Sequence, residues 1–329
     1  MKKATTTKLA VTALTTASVL SLAAFSGAAS SAPVYEDDDT RVDLYGFVRI
    51  GIENFDGDNQ FRDFFSRLGV RASHEFSPGH SAFLHTEWRH NGAQRNNVDA
   101  FTENRLSYIG VEGDFGRVTA GSQYSLYYLN VSSRNDIFAT ARSQRLGDLR
   151  DYAIDRSVAY VSPNFNGIRA GVQAAHASET QSFSGDEEVN LQAFVGGDVG
   201  DFNWGLAVDQ RNEDMPRDGG TTQSADPGET LFGAGLTWQA TPEWSVTGLA
   251  EIEGDITHLN LNTAYDYGMG SVYGLVQNVD LDGDDYTNFG LGVRYNVASP
   301  MWLFAEFHGG NTGSPYEDNF IAVGGQYAF

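Results

Sequence analysis

The sequence predicts an all-β protein, a sixteen-stranded antiparallel β-barrel that spans a membrane. Three observations predict this fold: sixteen segments in which apolar and polar side chains alternate, connections that are in turn short and long, and an apolar leader at the N-terminus. Alternation with a period of two is typical of a strand with one apolar and one polar face. Strands of about ten residues with short turns at one rim and longer loops at the other are typical of outer-membrane barrels.

The N-terminal residues predict export. Met1 to Lys8 is short and basic, Leu9 to Phe25 is apolar, and small neutral residues follow. This order is that of a secretory signal peptide. We predict a signal peptide over residues 1–32, with cleavage within 28–32, and a single barrel domain over residues 33–329. An N-terminal anchor helix is the alternative, but no basic stop-transfer flank follows the apolar run.

The alternating segments follow one another along the remaining chain. After an acidic start that we predict to be mobile, Glu36 to Asp39, the first segment covers 42–54, with Leu44 on its apolar face and Arg49 on its polar face. The other predicted strands are 65–76, 80–90, 103–112, 116–124, 156–162, 167–177, 188–199, 201–211, 229–239, 242–251, 256–267, 269–279, 285–296, 299–308 and 319–329. An antiparallel sheet of this kind closes on itself and leaves no open edge in lipid.

The connections fall into two sets. Tight turns such as Ser77-Pro78-Gly79 and Ser299-Pro300 alternate with longer polar loops. The loops are predicted at 55–64, 91–102, 125–155, 178–187, 212–228, 280–284 and 309–318, with a short link at Glu253-Gly254-Asp255 as the exception. The third loop, 125–155, is the longest, and a connection of that length is usually functional.

Composition excludes several classes of protein. The sequence contains 21 Lys and Arg and 43 Asp and Glu, which gives a net charge of −22. This negative charge argues against a nucleic-acid partner. The absence of cysteine excludes disulfide frameworks and Cys-ligated metal sites. A soluble sandwich or propeller would also alternate, but the leader, the even number of strands and the aromatic residues near strand ends favour the membrane barrel.

No catalytic, metal or cofactor site is predicted. The seven histidines lack zinc-binding spacing, and no nucleophile-elbow motif is present. The acidic run from Asp280 to Asp285 lacks the spacing and the closing Glu of a calcium loop, so we interpret it as a solvated hairpin tip. Weak bridging of Ca²⁺ or Mg²⁺ at the cell surface stays open as an alternative.

The C-terminal strand carries a further signal. Its apolar face continues in steps of two through Tyr327 to the last residue, Phe329. This ending resembles the C-terminal signature of outer-membrane barrels, and the resemblance implies recognition by the barrel-assembly machinery through strand addition.

Four stretches, in their order and spacing, extend this resemblance. They are Asp43-Leu44-Tyr45-Gly46, Ser66-Arg67-Leu68-Gly69-Val70, Asn104-Arg105-Leu106-Ser107-Tyr108-Ile109-Gly110 and Arg156-Ser157-Val158-Ala159-Tyr160-Val161-Ser162-Pro163. With the leader and the terminal Phe329, the chain is similar to the general porins, trimeric sixteen-stranded proteins of Gram-negative outer membranes. The resemblance implies a homotrimer among outer-membrane lipids and lipopolysaccharide, with a water-filled channel for ions and small hydrophilic solutes and no cofactor.

The resemblance also implies a pore constriction, where an inward-folded third loop carries acids that face a basic wall. Here the wall is predicted from Arg49, Arg67, Arg71, Arg105 and Arg156, and the loop acids are Asp136, Asp148 and Asp151. An opposing set of carboxylates is expected because clustered arginines repel one another. The chain departs from the family pattern at Phe47, where lysine is frequent, and in the loop, which carries arginines of its own.

The acidic residues of the outer loops predict a mild preference for cations, because a negative mouth concentrates cations and repels anions. Two alternatives to a general channel stay open. One is a surface adhesion or structural barrel whose loops bind a partner, and the other is a substrate-selective porin.

Overall fold

The computed structural model describes residues 32–95, 101–141, 152–177, 187–210, 229–281, 283, 285–311, 313–314, 317 and 319–329. Apart from Ala32, the predicted signal peptide lies outside these residues, as do the loop acids Asp148 and Asp151. Within these ranges no helical segment has the length and apolar composition that crossing a membrane requires.

Eighteen strands and one short helix are present in the described part of the chain. The strands are β1 (Ala32–Glu36), β2 (Thr40–Phe55), β3 (Asp58–Asp63), β4 (Arg67–Ser77), β5 (His80–Arg89), β6 (Glu103–Gly113), β7 (Gly116–Tyr124), β8 (Ala153–Val161), β9 (Ile168–Ala177), β10 (Glu188–Val199), β11 (Phe202–Gln210), β12 (Thr230–Gln239), β13 (Trp244–Glu253), β14 (Ile256–Asp266), β15 (Gly270–Leu281), β16 (Asp285–Ala298), β17 (Met301–Gly310) and β18 (Phe320–Ala328). The helix α1 (Leu126–Asn130) and a 3-10 turn (Ser132–Asn135) follow β7.

The strands form one closed antiparallel barrel with sixteen strand positions around its circumference. Each strand from β4 to β18 pairs with the next, and β18 returns to β2, where Ala328 lies opposite Phe47. The backbones of Gly46 and Phe329 exchange two hydrogen bonds of 3.0 Å at this seam. β3 and β4 together occupy one strand position, because both pair with β2, and the short strand β1 also pairs with β2. The predicted fold is therefore confirmed.

The two faces of the wall differ in the sense expected for lipid outside. In β14, Leu259 and Leu261 point outward and are at least half exposed, whereas His258, Asn260 and Asn262 point inward and are buried. β13 repeats the pattern with outward Ile252 and inward Glu251 and Glu253. Because each exposed apolar face would be costly in water, the outer surface is suited to hydrocarbon.

The prediction of a loop over 55–64 is wrong. β2 and β3 instead continue as a hairpin joined by Asp56 and Gly57, whose φ angles are 49° and 77°. Positive φ at both central residues is the geometry of the two-residue turn that Asp-Gly favours. Phe64–Ser66 then separate β3 from β4, and Phe65 has a φ of 68°. The buried Phe64 ring packs on Phe304.

The acidic start also differs from the expected mobile segment. Glu36 belongs to β1, and Asp37 to Asp39 form the turn into β2. Asp37 accepts backbone hydrogen bonds from Asp39 (3.1 Å) and Thr40 (2.7 Å), and its pKa is lowered chiefly by the hydroxyl of Tyr35 and then by these N–H groups. The carboxylate thus fixes the turn in a segment that we predicted to be mobile.

Candidate functional site

The third connection, between β7 and β8, begins on the inner wall. The Ser125 side chain caps α1 by accepting from the backbone N–H of Tyr128 at 3.1 Å. Gln173 of β9 accepts from the N–H of Leu126 at 2.8 Å, and Gln192 of β10 accepts from the Ser125 hydroxyl at 2.9 Å. Wall amides therefore satisfy the donors at the start of α1, which have no partner within the helix.

The middle of the connection lies against β13 and β14. Ser132 donates to Glu251 at 2.6 Å, and Asn135 donates to Asn260 at 3.1 Å. Asn262 in turn donates to the Asn135 side chain at 3.0 Å. These contacts involve buried side chains on both partners, so this part of the connection is inside the barrel.

Arg134 ties the same part of the connection to β11. It donates to the side chain of Asn203 at 2.5 Å and, at 3.0 Å, to the carbonyl of Asn130. Burial lowers the pKa of Arg134 to about 10, so the guanidinium stays protonated near neutral pH. Arg134, one of the loop arginines by which the chain departs from the family pattern, thus lies between the connection and the wall.

The far end of the described connection is held between β17 and β2. Glu306 accepts from the N–H of Ala139 at 2.6 Å and from the N–H and hydroxyl of Thr140 at 3.0 and 2.6 Å. Tyr273 donates to the same carboxylate at 2.7 Å. On the opposite side, Arg49 donates to the carbonyl of Ala139 at 2.7 Å.

Residues 125–141 therefore follow the wall from β9 to β17 and reach β2. The inward side chains that they contact on this half of the barrel are buried, Glu251 and Glu306 among them. On β4, by contrast, the inward residues Arg71, Ser73 and Glu75 are exposed. Of the described inward residues on the β2–β6 side, those of β4 thus remain accessible, whereas Arg105 of β6 is buried.

Three of the predicted wall arginines come together there. The guanidinium carbons of Arg49 and Arg67 each lie 4.7 Å from the centroid of the Phe47 ring. Phe47, where the chain departs from the family pattern, thus makes cation–π contacts with both arginines. Arg67 contacts the carboxylate of Glu87 at 3.4 Å, and Arg105 binds the same carboxylate. Arg105 also lies 5.0 Å from the ring centroids of Tyr124 and Tyr152.

The other predicted residues have different surroundings. Arg71 faces the lumen four residues after Arg67 on β4, 4.3 Å from the Tyr45 ring centroid. Asp136 accepts from the Tyr128 hydroxyl at 2.9 Å and lies close enough to Arg49 to interact electrostatically. Asp148 and Asp151 lie outside the described residues.

Arg156 is not brought to the wall group. A β-bulge with a φ of 50° at Arg156 shifts the register of β8 against β7, and its exposed side chain donates to the carbonyl of His176 at 3.2 Å. Val158 and Tyr160, two and four residues further on, are exposed on the outer face, so alternation does not place Arg156 inward either. Its assignment to the wall came from the family resemblance alone.

Three further lumen residues were missed from the sequence: Glu87, Glu306 and Arg294. Glu87 and Glu306 hold the arginines and the third connection, and Arg294 lies 4.3 Å from the centroid of the Trp302 ring. Alternation within the predicted strands 80–90 and 285–296 places Glu87 and Arg294 among other polar residues, whereas Glu306 in strand 299–308 shares its face with Trp302 and Phe304. That signal does not separate Glu87 and Arg294 from the other polar residues of their faces, since their partners lie far away in sequence.

The two predicted C-terminal signal residues lie at the closing seam. Tyr327 points outward and is exposed, and Phe329 bonds to Gly46. Elsewhere, the described residues include no group of three His, Asp or Glu side chains that could hold a metal ion.

Comparisons with known proteins agree with this architecture. A family profile described as Gram-negative porin matches residues 13–314. A monosaccharide porin from Halomonas sp is 24% identical over 356 residues, which cover 92% of this chain and 95% of the relative. The anion-selective porin from Comamonas acidovorans superposes with a TM-score of 0.71 at 18% identity, covering 88% of this chain and all of that one. The trimer form of OmpT from Vibrio cholerae gives a TM-score of 0.63 at 18% identity, over 89% of this chain and 100% of that chain.

Proposed function

The chain belongs to the Gram-negative porin family of outer-membrane channels, and we propose that ions and small hydrophilic solutes diffuse through it along the wall formed by β2–β8. The observation that carries this proposal is the course of residues 125–141, which line the wall from β9 to β17 and leave the inward residues Arg71, Ser73 and Glu75 of β4 exposed. Proteins of this family are channels rather than enzymes, so no chemical step is assigned.

The narrowest part of the path is assigned to the wall arginines and the third connection. Arg49, Arg67 and Arg105 lie on one side, with Asp136 on the connection that faces Arg49. Opposite charges at close quarters set up a transverse field that orients polar solutes and removes part of their hydration. Arg71 and the loop acids Asp148 and Asp151 are proposed to extend this arrangement along the pore.

A mild preference for cations is the proposed selectivity. The net charge of −22 and the acids in the predicted outer loops favour cations at the mouth. Within the lumen, Glu87 offsets the charge of Arg67 and Arg105, and Glu103 contacts Arg89 at 2.9 Å. These pairings reduce the advantage that the arginines would otherwise give to anions.

Planar-bilayer recordings with the mature protein under a KCl gradient test both the channel and its selectivity. We expect stepwise conductance and a reversal potential of the sign for K⁺ selectivity. Negligible current would contradict the channel and favour the alternative of an adhesion or structural barrel. Current with the reversal potential of an anion-selective pore would contradict the proposed cation preference alone.

We further propose that the chain assembles as a homotrimer among outer-membrane lipids and lipopolysaccharide, after recognition of its last strand by the barrel-assembly machinery. The trimer form of the OmpT structure and the placement of Tyr327 and Phe329 at the seam support this proposal.

A substrate-selective channel is the second candidate, favoured by the similarity to a protein described as a monosaccharide porin. Liposome swelling with a panel of solutes separates the two candidates, because a general channel ranks solutes by size and charge, whereas a selective one ranks them by identity.

A further inference from the structure

The inward arginines of β2–β7 differ in how their charge is balanced. Arg41 contacts Asp43 at 2.9 Å, Arg89 contacts Glu103 at 2.9 Å, and Arg117 lies 3.9 Å from Glu112. Arg67 and Arg105 share Glu87. These five arginines therefore each have a carboxylate within ion-pair distance.

Arg62 likewise contacts Glu53 at 2.6 Å. Arg49 has no carboxylate at ion-pair distance, but it donates to Gln326 and to the Ala139 carbonyl. Among the residues that the structure describes, Arg71 has neither an ion pair nor such a hydrogen bond. It lies in register with Asp43 of β2 and His85 of β5, but the Asp43 carboxylate is bound by Arg41. The Arg71 side chain is exposed on the accessible side of the lumen, on the short-turn side of Arg67. Its guanidinium N–H groups are consequently available to a passing solute.

The platform under Arg71 is held in place. The Tyr45 ring, only 5% exposed, lies 4.3 Å from the Arg71 guanidinium carbon. The Tyr45 hydroxyl donates to Glu87 at 2.8 Å, and its oxygen is 2.5 Å from His85 Nε2. His85 Nδ1 lies 2.9 Å from the hydroxyl of Tyr108.

This chain of hydrogen bonds has one consistent direction. Because the Tyr45 proton goes to Glu87, His85 Nε2 donates to the Tyr45 oxygen and Nδ1 accepts from Tyr108. All of these donors are used within the wall. A solute at this level therefore finds the guanidinium of Arg71 as its free donor, with the guanidinium carbon over the Tyr45 ring.

We propose that Arg71 on the Tyr45 ring is a transient docking site for small solutes that carry a carboxylate. A planar guanidinium matches a carboxylate with two parallel hydrogen bonds, and stacking on an aromatic ring limits the side-chain freedom that binding would otherwise remove. This inference rests on the proposed channel function. It is compatible with a cation preference for inorganic ions, because that preference follows from the summed charges of the mouth and the lumen, whereas docking depends on one local group.

The test compares glucuronate with glucose, which has the same ring but no carboxylate, in single-channel recordings. Glucuronate is expected to interrupt the current in a saturable manner, and glucose is not. Arg71→Gln should weaken the apparent glucuronate affinity about tenfold, the scale of one bidentate charge-assisted contact. Arg71→Lys keeps the charge but not the two parallel N–H donors, so its apparent glucuronate affinity should lie between those of the wild type and Arg71→Gln.

Arg95→Gln is the control, since it removes the same charge from the exposed connection between β5 and β6. Unchanged block in Arg71→Gln, an equal loss in Arg95→Gln, or a wild-type response in Arg71→Lys would each overturn the proposal. Equal interruption by glucose would do the same. An absence of current in the wild type would instead contradict the channel function itself, which keeps the two failures distinct.

Discussion

Single side chains decide how much positive charge the accessible wall presents. Glu87 is buried and contacts both Arg67 and Arg105, while its other oxygen accepts from Tyr45. A buried carboxylate of this kind is stable only because it is fully hydrogen-bonded and paired. Its presence converts two neighbouring cations into a group with one net positive charge.

Substitutions in this group should change selectivity in opposite directions. Glu87→Gln leaves both arginines without their counter-ion, so we expect the permeability ratio of K⁺ to Cl⁻ to fall by about twofold or more. The double variant Arg67→Ala with Arg105→Ala should raise the ratio, because it removes two positive charges from the wall. Reversal potentials in a KCl gradient measure both effects.

Arg156→Ala is the matched control, because its exposed side chain bonds to the His176 carbonyl and contacts none of this group. We expect a smaller shift for it than for either change in the group. The same reversal potential in the double variant and in the wild type would mean that Arg67 and Arg105 do not act on permeating ions.

Which residues contribute to the site was only partly predictable from the sequence. Arg67 and Arg105 are identified by the short stretches around them, although Arg105 lies at a β-bulge opposite Glu87 and Trp88. Arg156 is assigned to the wall by the family resemblance alone, and Glu306 gains its role from Ala139 and Thr140, more than 160 positions away. Long-range partners of this kind leave no local signal.

At the scale of elements, the third connection depends on room along the wall. A Cβ atom added at the inward Gly233 of β12 would lie 2.2 Å from the Tyr127 hydroxyl oxygen of α1. Contacts that short force a neighbour to move, so glycine is required where α1 lies against the wall. On the neighbouring strand β13, a Cβ at Gly248 would have open space around it.

This contrast gives a matched pair of variants. Gly233→Val should displace α1 into the lumen, lower single-channel conductance and destabilise the protein by about 1–3 kcal/mol, the usual cost of overpacking. Gly248→Val should leave conductance unchanged and stability within about 0.5 kcal/mol. Conductance and urea unfolding in detergent provide the measurements. Equal behaviour of the two variants would mean that α1 does not rest on β12.

The strands themselves were largely predictable, because lipid outside and polar groups inside impose alternation along each one. The hairpin of β2 and β3 was missed because its polar residues read as a loop, although Asp56-Gly57 carries a turn signal of its own. The interruption at Phe64–Ser66 depends on tertiary contacts: Ser66 donates its backbone N–H to Asp63 at 2.8 Å and accepts from Arg49 N at 2.9 Å.

For the whole molecule, closure and charge act together. Pairing of β18 with β2 removes the free edges, so the barrel needs no partner to satisfy its backbone in lipid. Residues 125–141 then lie against the wall from β9 to β17, while inward residues of β4 stay exposed. Function therefore follows from a fold whose interior is polar and whose exterior is apolar.

Cysteine accessibility tests this central claim most directly, because the natural chain contains no cysteine. Ser73→Cys lies on the exposed inward face of β4, and Leu291→Cys replaces an outward residue of β16 that is 62% exposed. In liposomes, a charged, membrane-impermeant thiol reagent should modify Ser73→Cys and lower its current, while Leu291→Cys should resist the reagent and be quenched by lipid-bound probes. Rapid modification of Leu291→Cys, together with protection of Ser73→Cys, would contradict the account.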